Sequence, residues 1–193
     1  QRRQIEISRE LFPIVTERFE GSGKWNNKEI HHVLLSFVRR RPRDLIILLK
    51  ESAARARQSR QEKITTQNIK DILPSYSQGR ISDLVVEFGT ELNSIEALLT
   101  NMRPTTAEMK KAEHKSTYTK DELLKKLNNI KSSGAYRFTN GTAITGQNLA
   151  NFLYKIDFII ARKRLEDGRI DRKYFDQNRL LQNQFVDFGY AWE

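Results

Sequence analysis

With 193 residues, 38% of them hydrophobic and 30% charged, the chain is long enough for one large or two modest domains and has ordinary globular chemistry. Its 34 Lys and Arg against 24 Asp and Glu give a net charge of +10, which suits an anionic partner such as nucleic acid and equally suits a solvated basic surface. No cysteine is present, which excludes disulfides and thiolate-held zinc and fits a reducing cytosol. Neither a run of about 20 apolar residues nor a signal-peptide pattern occurs, so a soluble, cytoplasmic protein with no membrane partner is expected.

In chain order, Ile7, Leu11, Phe12 and Val15 mark a short helical face interrupted by Pro13, and residues 20–27, including Gly21-Ser22-Gly23-Lys24, read as a loop. The spacing of Ile30, Val33, Leu34 and Phe37 predicts a helix from about Lys28 to Val38. The next runs from Pro42 to about Gln58, with Leu45, Leu48, Leu49, Ala53 and Ala56 on one face. Proline suits the first helical position because its missing N–H would have no partner there, and Asp44 suits the positive end of the helix dipole. Arg55, Arg57 and Arg60 complement the other end and read as a solvated cluster.

Thr65 and Thr66 offer an N-cap for a short helix through Ile69, Ile72 and Leu73 that Pro74 is expected to stop. Ile81, Leu84, Val85 and Phe88, then Ile95, Leu98, Leu99 and Met102, repeat helical spacing. Pro104 with Thr105-Thr106 marks the expected boundary between a domain of residues 1–103 and one of residues 104–193. After a possible helix around Ala107 to Ala112, Thr119-Lys120-Asp121-Glu122 forms a capping box that starts a helix burying Leu123, Leu127 and Ile130 and ending near Gly134.

Thr145 can cap a further helix with Leu149, Phe152, Leu153 and Ile156 inside. Beyond Asp157 the period shifts toward two, and Asp167-Gly168 between Phe158–Arg164 and Arg169–Phe175 signals a hairpin. Phe185 to Trp192 alternate as a final strand; that strand and the opening Gln1 lead us to expect both ends to be cut points. Helices, a hairpin and a last strand are the order of a winged helix-turn-helix. The expected class is therefore mainly α with a small antiparallel β-sheet.

Several elements carry a resemblance: Phe12-Pro13, Arg40-Arg41-Pro42-Arg43-Asp44-Leu45, Ala53 with Ala56, Ile64-Thr65 with Ile69, and the run from Tyr76 to Phe88. Over about 40% of the chain this series resembles the helical lid of bacterial P-loop ATPases of the AAA+ and STAND type. The resemblance implies that Arg43 senses the terminal phosphate of ATP, with Arg41 as the competing sensor, and that Pro42 lies near the adenine. It also implies a following winged-helix domain, an ATPase core elsewhere in the same polypeptide using ATP and magnesium, and a role in antiviral defence.

The chain departs from that family in lacking the catalytic core. A Walker A loop needs G-x-x-x-x-G-K-[ST], whereas Arg18 and Trp25 occupy the first-glycine and hydroxyl positions around Gly23-Lys24. No ATP hydrolysis and no cofactor are expected of these residues alone.

For nucleic acid, Gln147, Asn148, Asn151 and Lys155 on the prospective recognition helix can reach base edges. Arg162, Lys163, Arg164, Arg169, Arg172 and Lys173 surround the hairpin turn, a surplus of three charges over Glu166, Asp167 and Asp171 that suits phosphates. A protein-binding or structural winged helix is the alternative to DNA, and a homo-oligomer is possible. His31, His32 and His114 form no ligand pattern, because adjacent histidines on a helix point in different directions, so no metal is expected. Phe152, Phe158, Phe175, Phe185, Phe188 and Trp192 are assigned to packing. No nucleophile–base, H-E-x-x-H or G-x-S-x-G arrangement occurs, so no catalytic residue is assigned.

The reading that follows is the regulatory C-terminal region of an ATPase, whose lid senses nucleotide and passes the change to a winged helix bound to DNA or a protein. A free-standing DNA-binding regulator with a helical dimerisation domain, or a non-catalytic scaffold, is the alternative.

Overall fold

A computed structural model describes residues 14–21, 25–38, 42–109, 117–166, 170–175 and 191–192. As expected, the chain is mainly α-helical with small antiparallel sheets. It divides into two compact units, residues 1–80 and 81–193. The expected boundary stood at 103/104, but Ile95, Leu98, Leu99 and Met102 are all buried in the second unit's core, so the division falls earlier. Among the described residues no helix is long and apolar enough to cross a membrane.

In the first unit, β1 (Arg18–Phe19) pairs antiparallel with β2 (Lys28–Glu29), Arg18 opposite Glu29 and Phe19 opposite Lys28. This closes the ends of the loop read from the sequence, with Asn27 at φ 56°, a left-handed conformation that asparagine tolerates. Val15 joins Ile64 in an isolated parallel bridge instead of a helix; the other residues of that expected helical face lie outside the described ones.

Helix α1 (Ile30–Phe37) buries Ile30, Val33 and Leu34, and α2 (Pro42–Gln58) buries Leu48, Ser52 and Ala56. Leu45, Leu49 and Ala53 are half-buried beside them. Each burial follows the i, i+3, i+4 period that selected these segments. Helix α3 begins at Thr66, with Thr65 N-terminal to it: the Thr65 backbone N–H donates to Asn68 Oδ1 at 2.8 Å and the Asn68 N–H to Thr65 Oγ1 at 3.4 Å.

Pro74 does not stop this helix, which runs on to Phe88. Proline deprives the Lys70 carbonyl of its helical donor, a local cost that tertiary packing on both sides outweighs. Ile69 and Tyr76 are buried in the first core and Leu84 in the second, so the residues flanking the break are held in place while Pro74 itself faces solvent.

In the second unit, α4 (Ile95–Asn101) is followed by the short α5 (Thr106–Met109), then α6 (Lys120–Ser133) and α7 (Gly146–Lys155). The capping box forms: Thr119 Oγ1 accepts from the Glu122 N–H at 3.2 Å, and Glu122 Oε2 accepts from the Thr119 N–H at 2.9 Å. Thr145 caps α7 through the Asn148 N–H at 3.1 Å. Helices α6 and α7 meet closely at Gly146, where an added Cβ would stand 2.7 Å from Asn128 Oδ1 and 3.1 Å from the Leu124 carbonyl oxygen. The connection between them is tied down by Leu92 bridging Phe138 and by the Thr139 N–H donating to the Glu91 carbonyl at 3.0 Å.

Strands β3 (Ala161–Arg164) and β4 (Ile170–Lys173) form the expected hairpin, and β5 (Ala191–Trp192) adds to β3, giving the order β4-β3-β5. Phe152 packs edge-on against Phe88 and Phe138 with centroids 6.4 and 5.7 Å away, and Phe158 and Phe175 lie against the same core. The aromatics assigned to packing at Phe185 and Phe188 lie outside the described residues.

Candidate nucleotide-sensing and nucleic-acid-contacting surfaces

At the start of α2, Pro42 and Arg43 are exposed; Arg41 lies outside the described residues. Asp44 is only 3% exposed, so it does more than face a helix dipole: its Oδ1 takes an ion pair from Arg80 Nη1 at 2.9 Å. The one-residue step from Asp44 to Arg43 thus passes from an anchored carboxylate to a solvated guanidinium at the helix end. There the first-turn N–H groups and the arginine favour an anion together.

Further along α2, Arg55 Nε pairs with Asp71 Oδ2 at 3.0 Å, while Arg57 and Arg60 stay exposed. Hydrogen bonds from Gln67 and then Arg55 hold the Asp71 carboxyl below its ordinary range. One member of the arginine group is therefore engaged inside the protein, and the other two are solvated as expected.

All four residues expected to read bases on α7 hold intramolecular hydrogen bonds. Asn148 Nδ2 donates to the Ala143 carbonyl at 2.8 Å, Gln147 Nε2 to Asn151 Oδ1 at 3.4 Å, and Lys155 Nζ to Glu91 Oε2 at 2.6 Å. Asn148, Asn151 and Lys155 line a cavity of about 430 Å³ together with Phe138, Phe152, Tyr154, Asn140 and Thr142. Three polar residues of α7 thus form part of a cavity wall.

In the hairpin, Arg162 is in register with Arg172 and Lys163 with Asp171. A basic residue opposite an acid is a favourable cross-strand pair, and it lowers the positive field at that position. Arg162 and Lys173 are half-buried and Lys163 is exposed; Arg164 and Arg172 are placed by their backbone alone, and Arg169 with the Asp167-Gly168 turn lies outside the described residues.

Two features were missed in the sequence. Lys126 is 9% exposed, and its ammonium donates to Glu108 Oε2 at 2.7 Å, the Arg103 carbonyl at 2.9 Å and the Tyr118 hydroxyl at 3.2 Å. Burial raises the Glu108 pKa, but hydrogen bonds from Lys126 and Thr105 outweigh it and hold the carboxyl below its usual range. Its helical position beside Leu123, Leu127 and Ile130 was the available signal.

The second is the histidine pair. Contrary to the expectation that they diverge, His31 and His32 have ring centroids 4.0 Å apart, and their Nε2 atoms lie 3.4 and 3.5 Å from one Glu29 oxygen. Divergence of adjacent helical residues does not stop both side chains from turning toward the one carboxylate of Glu29, just before the helix. Burial, then the neighbouring His32, lower the His31 pKa, with Glu29 opposing.

These surfaces belong to a two-unit, mainly helical protein with basic residues at one helix start and along one hairpin. Residues 1–85 match the family described as the FunZ-associated C-terminal helical domain, so this part of the chain is similar to a C-terminal helical domain of a larger protein. No curated protein and no solved structure matches the chain significantly. No match to a P-loop ATPase was found.

Proposed function

We propose that the chain is the regulatory C-terminal region of a P-loop ATPase, in which the first unit responds to nucleotide and the second contacts nucleic acid through its backbone phosphates. The observation that carries the reading is the arginine at the start of α2: Arg43 is exposed, while the adjacent Asp44 is buried and paired with Arg80, which fixes the helix end that presents Arg43. A fixed helix end with a solvated guanidinium is preorganised for the terminal phosphate of ATP held by a core elsewhere in the polypeptide. The match of residues 1–85 to a C-terminal helical domain agrees with such a division of labour.

For the second unit, helices followed by a basic hairpin support a winged-helix type of contact. The intramolecular hydrogen bonds of Asn148 and Lys155 favour phosphate contacts by Arg162, Lys163 and Lys173 over base reading by α7.

The test uses the full-length parent protein. Arg43→Ala should lower ATP turnover at least about tenfold, or about 1.4 kcal/mol of transition-state stabilisation, with an unchanged circular-dichroism spectrum. Unchanged turnover removes the sensor role. Gel-shift titrations should show affinity that falls steeply with salt and varies little with sequence; an absent or salt-insensitive shift turns the second unit into a protein-binding module.

A further inference from the structure

We infer that Glu29, His31 and His32 form a binding site for a divalent transition-metal ion, zinc above all, independent of the ATPase reading. Each residue offers one ligand atom, and the three atoms lie within 4.8 Å of one another. Two imidazole nitrogens and a carboxylate oxygen are a zinc donor set of the open kind, with a fourth position left for water or another ligand.

The distances fit coordination. N–H···O bonds centre near about 2.9 Å, whereas both Nε2 atoms stand 3.4 and 3.5 Å from the same Glu29 Oε2. Zinc bonds of about 2.0–2.2 Å to nitrogen and oxygen give a tetrahedron with edges of about 3.3–3.6 Å. The two separations fall on that edge length. Two ligand atoms on one metal can take this spacing.

His31 adds an independent observation. The residue is 9% exposed, and its Nδ1 is buried with no hydrogen-bond partner. Burial limits rotation of the ring, which keeps Nε2 directed at the Glu29 carboxylate. The strand β2 places Glu29 immediately before the helix, so three ligands come from four consecutive residues in a conformation that pairing with β1 restrains.

The experiment is isothermal titration of the metal-free chain with zinc chloride, accompanied by cobalt(II) absorption spectra. Wild type should bind one zinc per chain and show the intense visible bands of tetrahedral cobalt. His32→Ala and Glu29→Gln, both at exposed positions and therefore expected to keep the fold, should each weaken zinc at least tenfold and abolish those bands. His114→Ala should behave as wild type. Absence of zinc binding by the wild-type chain, or wild-type affinity in either His32→Ala or Glu29→Gln, overturns the site.

Discussion

The start of α2 and the end of α7 each carry an ion pair beside a candidate contact residue, and the two pairs differ in burial more than in length. Asp44 and Arg80 meet at 2.9 Å with side chains 5% and 21% exposed, whereas Glu91 and Lys155 meet at 2.6 Å with both 43% exposed. The shorter pair is the weaker one, because water screens an exposed pair more than a buried one. The first region therefore has a structural pair that leaves Arg43 available, and the second has a surface pair that occupies the contact residue itself.

The strongest way to break this contrast is Arg80→Ala. It removes the Arg80 ion pair from the buried Asp44, and urea denaturation should show a loss of about 3 kcal/mol. A loss below about 0.5 kcal/mol would place the pair with ordinary surface salt bridges and remove the argument that the end of α2 is rigid.

An intermediate case sharpens it. Lys126 and Glu108 meet at 2.7 Å with side chains 9% and 20% exposed, and Lys126→Met strips a donor from three acceptors. The expected loss is about 2 kcal/mol at neutral pH. The folded state holds Glu108 below its ordinary pKa of 4.5, so the unfolded chain binds more protons as pH falls. The contribution is fully present above that value and is lost as pH falls through the lower folded pKa. Wild type should accordingly lose more stability than Lys126→Met between neutral and acidic pH, measured as the difference in urea midpoints.

Much of the fold was legible because it rests on local rules. Pro42 opening α2, the Thr119–Glu122 box, the Thr145 cap and the Asp-Gly hairpin signal all act within a few residues, and the periods of α6 and α7 point to buried leucines. Pro74 was misread because a local penalty was weighed without the two cores that hold α3 on either side. The boundary was misplaced for a related reason: Pro104 marks a break in a chain whose earlier apolar face, Ile95 to Met102, belongs to the later core.

Site legibility followed the same line. Arg43 was readable as an exposed helix-start arginine, but its setting depends on Arg80, 37 positions away. The α7 face looked solvent-directed by period alone, and only Glu91 and the Phe138–Thr142 segment turn part of it into a cavity wall. Lys126 and the convergent histidines were hidden for opposite reasons: a distant acid buries the one, and the carboxylate of Glu29 just before the helix faces both of the others.

The smallest effect tests the exposed pair. Glu91→Gln removes the acid facing Lys155 while preserving shape, so stability should change by less than about 0.5 kcal/mol. If the end of α7 lies within reach of a nucleic-acid backbone, the released ammonium adds one phosphate contact. The slope of log affinity against log salt for a random-sequence duplex should then steepen by about 0.9, read by fluorescence anisotropy. An unchanged slope confines the contact to the hairpin. It would also make Lys155 purely a cavity residue, and the contrast between the two ion pairs would extend to their roles: one positions an arginine for an anion, while the other lines a pocket.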